Sequence, residues 1–354
     1  MTRLLVTSTE DGTGKTAIAI ALAKLAAERG ATVSYMKPKG TSPESTVGKT
    51  RDQDPALARE VLGLDAEMHQ LEPVVYSPTF VKEAIRGREQ PQQLRERIVD
   101  AFEELAADSD IIVLEGGDRL ATGGIVELTD HDVADLLDAE LLLVGHYAEP
   151  GDADEVLGAA RTAGDRLSGV LYNNVSAAAF DELTDDVMPF LDSRGVASVG
   201  AIPHDEQLAG VTVAELADSL GADLLTATVD TTRRVERFAV GAMSASTALT
   251  AFRRTRNAAV ITGGDRPDIQ TAALEASGVV CLVLTGGYRP SNAVLGRASD
   301  EGVPVLVVEG ETRAAIDRTE HVLRSGRTQR PETIERMATL LDESVDIDTL
   351  LELS

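Results

Sequence analysis

The feature that most constrains the fold is a glycine-containing loop between an apolar run and a helical run. The apolar run is residues 4–6, the loop is residues 8–16 (STEDGTGKT), and the helical pattern covers residues 15–29. In this arrangement, backbone N–H groups and a helix N-terminus bind phosphate groups. Because Thr9 stands where the usual pattern has its first glycine, an ordinary glycine-rich turn is the alternative. The position after the first predicted strand favours a nucleotide.

Five residues of this loop are candidates for nucleotide binding. Gly12 and Gly14 would shape the backbone around the phosphates, and Thr13 lies between them. Lys15 would reach the outer phosphates, and the hydroxyl of Thr16 would bind Mg²⁺.

Four polar residues outside the loop are expected beside it. Lys37 and Glu115 end predicted strands, Asp54 precedes a predicted helix, and Asn173 follows another apolar run. We expect them near the loop because ligands of parallel sheets bind at the carboxyl ends of the strands. Asp54 and Glu115 would join Thr16 as Mg²⁺ ligands, since Mg²⁺ prefers oxygen donors.

These side chains also have plain structural interpretations. Lys37 could be a solvated surface lysine, Asp54 a helix cap, and Asn173 a turn residue instead of a contact to a purine edge. Function is favoured for Lys37, because the whole chain contains only six lysines.

Composition excludes several classes of partner. A net charge of −26 argues against nucleic acid and anionic membranes as partners. Apolar runs are too short to span a membrane, and no secretory segment is visible, so we expect a cytoplasmic protein. The single cysteine, Cys281, excludes intramolecular disulfides. The acidic, lysine-poor and tryptophan-free composition is typical of halophilic proteins, whose self-repulsion is screened by salt.

Apolar runs and helical patterns alternate along the first 220 residues. This alternation predicts an α/β fold with a mainly parallel sheet and helices on both faces. The predicted strands are residues 3–7, 32–36, 111–114, 140–144, 169–172 and 197–202. The predicted helices are residues 15–29, 55–62, 91–107, 133–138, 153–163, 180–193 and 213–220.

A polar stretch, residues 226–237, interrupts this pattern, and a second alternating region follows it. We therefore predict a nucleotide-binding domain at residues 1–222, a smaller α/β domain at 223–326, and a C-terminal helical segment at 327–354. In the second domain, Gly263-Gly264 and Gly286-Gly287 follow apolar runs. Their backbone amides could bind an anion, or the turns could support a dimer interface.

The motifs of the first domain resemble the dethiobiotin synthetase branch of the P-loop NTPases. The shared parts, in order, are the modified phosphate loop, Lys37-Pro38, Asp54, Glu115 and Asn173, along about residues 1–222. The resemblance implies ATP and Mg²⁺ as cofactors, and Asn173 near the base. It makes Lys37 and Lys15 the candidate catalytic residues. The family's Ser-Pro-His is Ser-Pro-Thr at residues 77–79, so dethiobiotin synthesis itself is not implied.

The second domain resembles a DRTGG domain, through FAVGAM (238–243), VITGGDRPDI (260–269) and LTGG (284–287). Long phosphate acetyltransferases carry this module after a dethiobiotin synthetase-like domain. The chain is therefore similar to their N-terminal regulatory half. This resemblance implies a homodimer and a small-molecule effector at the second domain. Because the acyltransferase domain would follow residue 354, we expect no acetyltransferase activity from this chain.

The leading hypothesis is an Mg-ATP-binding regulatory or sensor protein, which the resemblance connects to acetyl-CoA metabolism. The second hypothesis is an ATP-dependent ligase that joins a carboxylate or carbamate to an amine. In that enzyme, Lys37 would stabilise charge on the transferred phosphoryl group. The third hypothesis is a non-hydrolysing dimeric scaffold, because Ser8 and Thr9 replace glycines of the family loop.

Overall fold

A computed structural model describes residues 1–41, 44–46, 49–325 and 330–353. The chain forms two compact units. The first contains Met1–Asp205 together with Thr328–Ser354, and the second contains Glu206–Arg327. Each unit has its own hydrophobic core.

The core of the first unit is a six-stranded sheet whose neighbouring strands are all parallel in the described residues. The strands of this unit are β1 (Thr2–Ser8), β2 (Val33–Met36), β3 (Lys39–Gly40), β4 (Glu44–Thr46), β5 (Lys49–Arg51), β6 (Val74–Val75), β7 (Ile111–Glu115), β8 (Glu140–Gly145), β9 (Leu167–Val175) and β10 (Ser198–Pro203). The large sheet has the order β10-β9-β8-β1-β7-β2. Its central strands are nearly continuous buried apolar runs, as expected when helices cover both faces. The phosphate loop leaves β1 at the middle of this sheet.

Helices cover the sheet of the first unit. They are α1 (Lys15–Glu28), α2 (Asp54–Leu62), α3 (Met68–Leu71), α4 (Pro78–Ile85), α5 (Pro91–Ala106), α6 (Asp130–Leu137), α7 (Ala153–Ala163), α8 (Ala177–Glu182) and α9 (Met188–Asp192). Helix α1 is apolar on almost every side, and its residues from Lys15 to Ala23 are all buried. A helix of this kind needs packing partners all round.

The second unit is a smaller α/β structure. Its strands are β11 (Val211–Thr212), β12 (Asp223–Leu224), β13 (Arg234–Val235), β14 (Arg237–Val240), β15 (Ala258–Gly263), β16 (Val279–Thr285) and β17 (Val305–Val307). Its helices are α10 (Val213–Leu220), α11 (Ala245–Phe252), α12 (Pro267–Leu274), α13 (Asn292–Asp300) and α14 (Thr312–Ser325). The sheet has the order β12-β17-β16-β15-β14, in which β12 is antiparallel and the others are parallel.

Two C-terminal helices complete the first unit: α15 (Pro331–Ser344) and α16 (Ile347–Leu350). Helix α15 packs against α1 and β10. Its residues Ile334, Met337 and Leu341 are buried. These helices supply the packing that the outer side of α1 requires.

The structure groups the segments differently from the sequence-based boundaries at residues 222 and 326. Helix α10 lies in the second unit, because Val213 and Leu216 pack into the core of that unit. Strand β12 pairs with β17 of the same unit. The C-terminal helices, expected as a separate segment, pack within the first unit. Residues 326–329, where the second expected boundary falls, lie outside the described residues.

The predicted fold class, α/β with a mainly parallel sheet, is confirmed. Helix α2 was predicted at residues 55–62, but its neighbours between β2 and α5 were not, because they are too short to show a hydrophobic period: β3, β4, β5, β6, α3 and α4. Helix α4 had a usable signal, because Ser77 caps it by accepting a hydrogen bond from the Phe80 amide. None of the helices in the part of the chain that the structure describes combines the length and apolarity needed to cross a membrane.

Candidate functional site: a phosphate loop beside buried carboxylates

The phosphate loop has the backbone that its glycines allow. Gly12 and Gly14 have φ angles of 77° and 89°, in the left-handed region that favours glycine. Gly14 is the N-cap of α1, and none of the described side chains caps the helix there. The amides of the first helical turn therefore point out of the helix end, which carries a partial positive charge. This end of α1 is suited to an anion.

Lys15 is buried beneath this loop, with 7% of its surface exposed. Its Nζ donates to Ser8 Oγ at 2.8 Å and to the carbonyl oxygen of Asp118 at 2.9 Å. Both acceptors are neutral. Burial lowers the pKa of Lys15, although the nearby charges of Glu115 and Asp130 partly oppose the shift. The structure thus holds a buried ammonium whose described hydrogen-bond partners carry no charge.

Thr16, Asp54 and Glu115 meet at one point. Thr16 Oγ1 lies 3.1 Å from Asp54 Oδ2 and 2.8 Å from Glu115 Oε1. Asp54 is the first residue of α2, but it is not the cap that the alternative interpretation suggested, since Gln53 is the N-cap. Tyr35 donates to Glu115 Oε2 at 2.5 Å and fixes that carboxylate from the other side.

Lys37 is not a solvated surface lysine, because only 3% of its side chain is exposed. Its Nζ contacts Asp54, lies 2.7 Å from Asp52 Oδ2 and lies 3.1 Å from Glu115 Oε1. Burial opposes its charge, but these three carboxylates outweigh burial and raise the pKa of Lys37. Burial raises the pKa of Asp54 to about 8, and the charges of Glu115 and Asp52 add to the shift while Lys37 opposes it.

Every charged side chain that is buried, among the residues whose side chains are described, belongs to this site. There are three ammonium groups and five carboxyl groups: Lys15, Lys37, Lys39, Asp52, Asp54, Glu72, Glu115 and Asp130. Carboxyl groups thus outnumber ammonium groups among these buried side chains, which favours a cation at this site.

The donor set also fits Mg²⁺, which prefers hydroxyl and carboxylate oxygens together with phosphate oxygens. A cluster of three or more His, Cys, Asp or Glu side chains suited to a metal is not found among the described residues. A metal at this site would therefore use the Thr16 hydroxyl and oxygens of the nucleotide besides Asp54 and Glu115.

A second buried ion pair was missed by the sequence analysis. The side chains of Lys39 and Asp130, 1% and 0% exposed, contact each other. Asp130 also accepts from Thr7 Oγ1 at 2.5 Å and from the Gly117 amide at 2.9 Å. This pair therefore joins the end of β1, the loop after β7 and the start of α6. A Cβ on Gly116 would lie 2.2 Å from Asp130 Oδ2, which explains the glycine.

Asn173 braces the phosphate loop. Its Nδ2 donates to the carbonyl oxygen of Thr13 at 2.8 Å. A Cβ on Gly14 would lie 2.5 Å from the same Nδ2, so the amide fits only against a glycine. Thr13 Oγ1 is buried, with no hydrogen-bond partner among the described residues. The contact of Asn173 with a base stays a prediction.

The glycine turns of the second unit use backbone amides for hydrogen bonds within that unit. The amide of Gly264 donates to Thr285 O at 3.0 Å. The amides of Gly286 and Gly287 donate at 3.0 Å to Gly310 O and Val308 O. Three of the amides that would bind an anion are thus already used within the unit.

Comparison with protein families agrees with the two-part organisation. A family model described as an AAA domain (AAA_26) matches residues 2–212, which is more than half of the chain. The chain belongs to this family. The model of the DRTGG domain matches residues 215–322. The combination expected from the motifs, an AAA_26 domain of the P-loop type followed by a DRTGG domain, is confirmed.

Individual relatives include phosphate acetyltransferases and a dethiobiotin synthetase. The phosphate acetyltransferase of Pseudomonas putida is 25% identical over 327 residues, covering 87% of this chain and 45% of that enzyme. That of Haemophilus influenzae is 26% identical, covering 85% of this chain and 45% of the enzyme. The ATP-dependent dethiobiotin synthetase BioD of a Parafrankia species is 33% identical over 138 residues, covering 39% of this chain and 53% of that enzyme. The chain spans about half the length of these relatives, and its similarity to the N-terminal regulatory half of the acetyltransferases is confirmed.

Proposed function

We propose that this protein binds Mg-ATP in its first unit and acts as a regulatory or sensor protein in acetyl-CoA metabolism. Lys15 binds the outer phosphates, and Thr16, Asp54 and Glu115 hold the metal. A Mg²⁺ ion held by these residues would neutralise charge on the phosphates. The two units do not themselves transfer acetyl groups in this proposal. Gly12, Thr13 and Gly14 shape the loop. Asn173 lies beside the loop and contacts the base of the nucleotide.

The environment of Lys15 carries this proposal. A buried ammonium normally has a carboxylate partner, because an unpaired buried charge is unfavourable. Lys37 and Lys39 have such partners, whereas the described contacts of Lys15 are Ser8 Oγ and Asp118 O. A phosphate at the N-terminus of α1 would supply the missing negative charge.

The test is the affinity for Mg-ATP, measured by equilibrium dialysis in molar KCl. A hydrogen bond to a charged group contributes about 1.5–3 kcal/mol, so Lys15→Gln should weaken binding by about 10-fold to 100-fold. Lys82→Gln is the matched control, because Lys82 is exposed on α4 and has the same side chain. Wild-type affinity in a folded Lys15→Gln variant would contradict the assignment of the phosphate loop.

The ligase is the second candidate, favoured by the burial of Lys37 beside the proposed metal ligands and by the similarity to BioD. The two candidates differ in how ADP release depends on an acceptor. A sensor should release ADP slowly whether or not carboxylates and amines are added. A ligase should release it faster with the correct acceptor, and Lys37→Gln should abolish that stimulation.

The proposal also includes a small-molecule effector of the second unit, a homodimer and a halophilic, cytoplasmic setting. Support comes from the DRTGG match and from the acidic, lysine-poor composition. Sedimentation velocity in molar KCl tests the dimer, since a monomer at micromolar concentration would contradict it.

A further inference from the structure

The chain passes from the first unit to the second and later returns to the first. A residue just before the first passage and a residue after the second form an ion pair. The first passage follows Asp205, the last residue of the first unit before the second unit begins. The chain returns ahead of α15, which carries Arg336. Arg336 Nε and Nη2 donate to Asp205 Oδ2 at 2.9 and 2.6 Å. The Asp205 side chain is only 12% exposed, so this ion pair is partly protected from solvent.

Helix α15 connects this ion pair to the phosphate-loop helix. Lys24 Nζ on α1 lies 3.2 Å from Glu335 Oε1, next to Arg336 in sequence. About two turns further along α15, Asp342 Oδ1 lies 2.5 Å from Arg29 Nη2. Together with the buried apolar residues of α15, these pairs fix the helix along α1, which begins at the phosphate loop.

We propose that the pair Asp205–Arg336 is a clamp that couples nucleotide binding in the first unit to the stability of the second. The inference rests on the proposed function, because it needs a ligand at the phosphate loop. A ligand that stabilises α1 also stabilises its partner α15, which the clamp ties to Asp205. The ends of the second unit are thereby held together, and opening of that unit becomes less favourable. By reciprocity, opening of the second unit weakens nucleotide binding.

Cys281 is a built-in reporter of that opening. It is the only cysteine of the chain and lies buried in β16 of the second unit. Burial raises the pKa of its thiol to about 12, so alkylation requires the second unit to open. The rate of alkylation by iodoacetamide, with and without Mg-ATP, measures how far nucleotide suppresses opening.

The experiment uses the full chain in molar KCl with Mg-ATP at about 100 times its Kd, where a fully coupled ligand slows opening by about 100-fold. We expect at least about tenfold slowing in the wild type and less than about twofold in Arg336→Gln. Arg336→Lys, which keeps the charge, should retain part of the effect. Arg166→Gln is the matched control, since Arg166 bridges Asp135 and Asp138 elsewhere in the first unit. It should behave like the wild type.

Nucleotide binding is measured on the same samples, so that failure of the clamp can be distinguished from failure of the proposed function. Equal slowing in the wild type and Arg336→Gln would overturn the clamp while leaving the proposed function intact. Unchanged alkylation in a nucleotide-bound wild type would overturn it as well. Absence of Mg-ATP binding in every variant would contradict the proposed function itself, and the clamp with it. Asp205→Asn removes the other partner and should reproduce Arg336→Gln.

Discussion

The buried pair of Lys39 and Asp130 permits a quantitative stability prediction. Asp130→Asn removes the negative charge but nearly preserves the volume of the side chain. Lys39, 1% exposed, would then hold its ammonium without the carboxylate that it now contacts. Removing one partner of a buried pair typically lowers the free energy of unfolding by about 3–5 kcal/mol, and we expect a loss in this range. The double variant Lys39→Met/Asp130→Asn removes both charges and should lose less than Asp130→Asn alone.

Amide hydrogen exchange in β1 and β7 measures this loss, because it reports the opening of the first unit alone. Asp135→Asn is the control. It removes a carboxylate from an exposed pair with Arg166, which should contribute about 0–1 kcal/mol. Wild-type exchange rates in Asp130→Asn would show that the buried pair does not stabilise the first unit. A double variant that loses at least as much stability as Asp130→Asn alone would also contradict the prediction, because the unpaired ammonium of Lys39 would then not be the cause of the loss.

Two further predictions concern the phosphate loop and the surface. Gly14→Ala should weaken Mg-ATP binding by about fivefold to 30-fold, because the methyl group meets Asn173 where φ is 89° and a side chain costs about 1–2 kcal/mol. Gly30→Ala, with φ of 92° and nothing within 4 Å, should lose similar stability but no affinity; equal affinity losses would count against the loop geometry. The net charge of −26 predicts loss of helical circular dichroism as KCl falls from molar to millimolar, and an unchanged spectrum would contradict it.

The fold and much of the candidate site follow from local patterns in the sequence. Apolar runs alternating with helical segments indicate parallel strands, and residues that end such strands share one edge of the sheet. This rule placed Glu115 and Lys37 near Thr16, and in the structure Thr16 and Lys37 both lie within hydrogen-bonding distance of the Glu115 carboxylate. The ion pair between Lys37 and Asp52 could not be predicted in this way, because Asp52 lies in a loop whose path is set by tertiary packing.

The remaining features depend on contacts between distant residues. Lys39 and Asp130 are 91 positions apart, and Asp130 resembles an ordinary first-turn residue of α6 after the cap Thr129. Asp205 and Arg336 are 131 positions apart. Packing of α15 on α1 has no local signal except the apolar character of α1 on every side, which indicates that something must cover it. Which segment does so is decided by tertiary packing.

Calorimetric titration of ATP into the wild-type protein in molar KCl tests whether the buried charges around Lys15 form an Mg-ATP site. We expect saturable binding of one ATP per chain in the presence of Mg²⁺, and much weaker binding when the metal is chelated. Absence of saturable binding with Mg²⁺ present would contradict this expectation.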